Sequence, residues 1–101
     1  MDLISQTIFD IKSLKIQGAT NIVKVSLSSL KTYLAENPSL TADEFKENIN
    51  ALISARPTEP FIQNVLSSLI QNLEPFNTQN MINKINSAEI QLQKNEEQKP
   101  P

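Results

Sequence analysis

Thr41-Ala42-Asp43-Glu44-Phe45-Lys46-Glu47-Asn48-Ile49-Asn50-Ala51-Leu52-Ile53 reads as one amphipathic helix that carries its own start signal. Thr41 followed three positions later by Glu44 matches a capping box, in which each side chain satisfies a backbone amide that the first helical turn leaves free. Phe45, Ile49, Leu52 and Ile53 then recur at helical spacing and form one apolar face. Asp43, Glu44 and Glu47 could be read as an acid/base pair or a metal site. Their position in the first turns has a simpler account, because negative charge there complements the helix dipole.

The same pattern repeats on both sides of this stretch. Upstream, Ile4, Ile8, Ile11 and Leu14 form a first stripe, which Gly18 interrupts. A second helix is expected from about Ala19 to Leu34, with Ile22, Val23, Ser26, Leu27, Leu30 and Leu34 on one face, and Asn37-Pro38 closes it. The residue before a proline is pushed out of the α region. Downstream, Pro57 bounds the third segment and Thr58 is positioned to cap a fourth, with Glu59 and Pro60 in its first turn. Ile62, Val65, Leu66, Leu69 and Leu73 make its face, and Pro75 is expected to end it. A fifth begins near Thr78 and carries Met81, Ile82, Ile85, Ala88 and Leu92.

These segments predict an all-α fold: a compact bundle of about five helices, as one helical domain over residues 1–93. Residues 94–101 are expected to form a disordered tail, since they offer nothing to bury. The single Gly in 101 residues supports this reading, because strand-and-turn folds draw on glycine for positive φ. A chain of this length buries roughly two-thirds of its unfolded surface, enough for one core.

Composition removes much chemistry. The chain has no Cys, His or Trp. It therefore has no disulfide framework, thiol nucleophile, imidazole base or zinc site of the usual ligands. Neither a catalytic residue, a metal site nor a cofactor is expected. Ser26, Ser28 and Ser29 lie close in sequence but have no partner that would activate a nucleophile. The net charge of -2, with no cluster of Lys or Arg, gives no footprint for direct nucleic-acid binding. No apolar run approaches the roughly 20 residues that cross a bilayer. A signal-peptide core is likewise missing from Met1 to Ile11. The expectation is a cytoplasmic protein without membrane contact.

Two junctions stand out. Lys15-Ile16-Gln17-Gly18-Ala19-Thr20 places the only Gly just before a helix, where free backbone N–H groups suit phosphate or another anion. An ordinary C-cap glycine is the plainer reading. Ser54-Ala55-Arg56-Pro57-Thr58-Glu59-Pro60 places the only Arg before a second helix start; the other eight cationic residues are Lys. Its planar fork suits phosphate or carboxylate. The plainer reading is a surface Arg that neutralises a nearby Asp or Glu.

Taken in this order, Ile16-Gln17-Gly18-Ala19 resembles the Ile/Val-Arg-Gly-Ala element of a sugar-phosphate isomerase superfamily, and Arg56-Pro57-Thr58 resembles its Arg-Pro-Thr element. That superfamily includes the alpha, beta and delta subunits of translation initiation factor two-B, archaeal ribose-1,5-bisphosphate isomerase and methylthioribose-1-phosphate isomerase. Asp10 to Leu14 and Phe61 to Leu66 fit the same pattern, and the resemblance spans roughly residues 8 to 93.

The resemblance implies a helical first domain followed by a Rossmann-like α/β domain that carries the catalytic Cys and Asp of the isomerases. This chain would stop where that second domain begins. The phosphate-binding residues implied are Gln17, Gly18, Ala19, Arg56, Pro57 and Thr58. Gln17 replaces an Arg of the isomerases and so removes one charge, which tilts the match toward the regulatory, translation-factor branch. The leading expectation is a non-catalytic, partner-binding domain of the translation initiation factor two-B type. The alternatives are the N-terminal half of a ribose-1,5-bisphosphate type isomerase, or a helical adaptor with no ligand. Implied partners are another protein or the α/β domain, with a sugar phosphate or nucleotide monophosphate as ligand. A face left bare by the missing domain would also favour a weak homodimer.

Overall fold

The computed structural model describes residues 3–13, 18–57, 59–71, 73 and 75–97. It holds five helices: α1 (Leu3–Lys12), α2 (Ala19–Glu36), α3 (Ala42–Ala55), α4 (Pro60–Ser68) and α5 (Thr78–Glu97). The described residues contain no strand. The radius of gyration is 13.2 Å, matching the value of about 13 Å typical of a compact domain of 100 residues.

α2 is the hub, packing against α1, α4 and α5, while α3 packs against α1 and α4. Its role follows from its sequence, in which Ile22, Val23, Leu27, Leu30 and Leu34 are all buried along one face. α3 contributes Phe45, Ile49 and Leu52, each fully buried, and α4 adds Ile62 and Leu66. Phe45 meets Phe76 of the segment before α5 with ring centroids 5.7 Å apart and planes tilted by 36°, an arrangement that aromatic quadrupoles favour. Leu14, expected in the first stripe, lies outside the described residues.

The capping box at α3 forms as the sequence predicts. The Glu44 amide donates to Thr41 Oγ1 at 3.2 Å, and the Thr41 amide donates to Glu44 Oε1 at 3.0 Å. At α5, Asn77 supplies half of this pattern, its Oδ1 accepting from the Asn80 amide at 3.1 Å.

Polar groups also enter the core. Thr7 and Ser29 hydroxyls lie 2.6 Å apart across the α1–α2 contact, and Thr7 donates to the Leu3 carbonyl at 2.9 Å. Ser26 is fully buried, and its Oγ has no hydrogen-bond partner among the described residues. At the edge, Lys31 of α2 reaches Glu89 at 2.6 Å and Asn86 at 3.1 Å on α5. Both charged side chains are about a third exposed, so this pair is worth at most about 1 kcal/mol.

Three expectations change. The fourth helix does not run to Pro75. It ends at Ser68, where the Leu69 and Ile70 amides bond back to Leu66 and Ser67 in a tightened last turn. The apolar period continued because Leu69 and Leu73 are buried from the following turn rather than from the helix. Lys84 stabilises that turn from α5, donating to the carbonyls of Leu69 at 3.5 Å and Gln71 at 3.3 Å. The cap of α4 is Glu59, which makes no side-chain capping bond; Thr58, expected there, lies outside the described residues. Finally, α5 continues to Glu97, past the boundary expected at Lys94.

Candidate phosphate site at two helix junctions

The first junction is organised by backbone shape. Gly18 has φ 87° and ψ 131°, a conformation that costs an L-residue roughly 1–3 kcal/mol. Its carbonyl accepts the first bond of α2 from the Ile22 amide at 3.0 Å. As glycine it supplies no side-chain cap, and the first turn of α2 holds no acidic residue. A Cβ at Gly18 would meet only Asn21 Nδ2, at 3.8 Å. Glycine is therefore required by its dihedrals and not by crowding. Gly18 is exposed, and Ala19 is half-buried beside it. The ordinary C-cap reading is not what the described chain shows, because Gly18 stands at the N-cap of the following helix.

The second junction is a turn closed by several bonds. The Arg56 amide donates to the Ile53 carbonyl at 3.1 Å, and the Arg56 carbonyl accepts from the Glu59 amide at 3.3 Å. Gln63, one turn into α4, donates its Nε2 to the Pro57 carbonyl at 2.6 Å. Pro60 occupies the first turn of α4, where its missing N–H costs nothing. Arg56 itself is half-buried. Among the described residues its guanidinium makes no hydrogen bond or ion pair. Among the described residues it is not engaged in neutralising an Asp or Glu.

Of the six residues implied as ligands, Arg56 and Pro57 share one turn, and Gly18 and Ala19 share one helix start. Gln17 and Thr58 lie outside the described residues. Beyond the chain neighbours of Gly18, only Asn21 lies within 4 Å of the Gly18 Cβ position among the described residues, so Arg56 does not touch it. The sequence reading missed Gln63, which ties α4 back onto the Arg-Pro turn.

Other sites are less apt. Glu44 is committed to its capping box. Among the described residues, no group of three or more His, Cys, Asp or Glu could hold a metal ion. A surface cavity of about 390 Å³ lies at the α2–α3 turn beside Tyr33, Glu36 and Glu44, where the carboxylates would repel an anion. No described helix is long and apolar enough to cross a membrane.

Comparison with known proteins adds a relative of named activity. The chain is similar to ribose 1,5-bisphosphate isomerase of Methanocaldococcus jannaschii, with 36% identity over 81 residues, or 76% of this chain and 26% of the relative. It is a remote homologue of part of that isomerase. This relationship points to the sugar-phosphate isomerase superfamily. The chain spans about a quarter of the relative's length. No family model matches the chain. No solved structure matches it either.

Proposed function

We propose that this chain is the helical, phosphate-holding part of a sugar-phosphate isomerase-type protein, acting with an α/β domain outside these 101 residues. The observation that carries the reading is the Arg56 guanidinium, without a partner among the described residues, on a turn braced by Gln63, in a chain 36% identical over 81 residues to ribose 1,5-bisphosphate isomerase. In this reading Arg56 binds a phosphate of the substrate as a charged fork, and the amides after Gly18 supply neutral donors at the start of α2. The chain positions substrate, and the α/β partner performs the chemistry. By itself the chain binds without turnover.

A regulatory role in translation initiation is the second reading, and Gln17 favours it. A neutral amide in place of the isomerases' Arg gives a site better matched to a nucleotide monophosphate than to a bisphosphate. Under either reading the protein is cytoplasmic and has a protein partner. Phe9 and Ile90, each more than half exposed, would favour weak self-association when that partner is absent.

The test is a titration of the 101-residue chain with ribose 1,5-bisphosphate, ribose 5-phosphate and adenosine monophosphate, followed by amide NMR. The isomerase reading expects the bisphosphate to shift the signals of Gly18 to Thr20 and Arg56 at the lowest concentration. Preference for adenosine monophosphate would favour the regulatory branch. No shift at these residues with any of the three would leave the ligand-free adaptor.

A further inference from the structure

We draw no further inference here: the strongest candidate, the apolar groove of about 300 Å³ between α4 and α5 lined by Phe61, Val65, Ala88 and Leu92, carries nothing because nothing in the structure shows what covers it.

Discussion

Gln63 Nε2 donates a 2.6 Å hydrogen bond to the Pro57 carbonyl, fastening the first turns of α4 to the turn that presents Arg56. The bond lies on an exposed part of the surface, so its net worth to folding is modest, about 0.5–1.5 kcal/mol. The proposed phosphate site gives it a second role, holding the turn that carries Arg56. Gln63→Ala should lower the urea midpoint only slightly. It should weaken phosphate binding about two- to tenfold, because a looser turn must be ordered again on binding. Isothermal titration beside urea unfolding checks both halves. Unchanged affinity would deny Gln63 a positioning role.

Gly18→Ala tests the first junction. With only an ordinary van der Waals contact at the Cβ position, the penalty comes from φ 87° alone, and about 1–3 kcal/mol of stability should be lost. Chemical denaturation measures it. A variant as stable as the parent would mean that the chain relaxes there at no cost.

The polar groups of the core should separate by their partners. Ser26→Ala removes a buried hydroxyl with no partner among the described residues and should be neutral or stabilising by about 1 kcal/mol, since the desolvation cost goes with the group. Thr7→Val strands the buried Ser29 hydroxyl and should cost about 1–3 kcal/mol. Adding Ser29→Ala to Thr7→Val should recover part of that loss, a coupling that a double-mutant cycle reads directly.

Thr41→Ala removes the oxygen that accepts from the Glu44 amide. It should cost about 0.5–2 kcal/mol. Loss of helicity confined to α3 before global melting, seen by amide exchange, is the expected signature.

The sequence conveyed most where a physical rule acts locally. Thr41 and Glu44 announced their own capping box. The spacing of Ile22, Leu27, Leu30 and Leu34 assigned the buried face of α2, because helical period and burial follow one another. The end of α4 was not legible. Leu69 and Leu73 keep the apolar rhythm after the helix has stopped, and the lysine that holds the freed carbonyls, Lys84, is 13 residues beyond Gln71. The polar pair Thr7–Ser29 was hidden for the same reason, as its partners are 22 residues apart. At the candidate site, the two motifs and their order could be read from the chain. The positive φ of Gly18 and the lack of a partner for Arg56 among the described residues required coordinates, since both depend on how neighbouring segments pack.

The account rests on Arg56 as the charged half of a phosphate site, and one comparison tests it most directly. Ribose 1,5-bisphosphate is titrated into the parent chain and into Arg56→Ala, with amide shifts at Gly18 to Thr20 followed in both. Because the guanidinium has no partner among the described residues, the variant should fold with nearly unchanged stability. It should lose binding by at least about tenfold, equivalent to about 1.4 kcal/mol. Equal affinity in the two proteins, or shifts that bypass both junctions, would contradict the account.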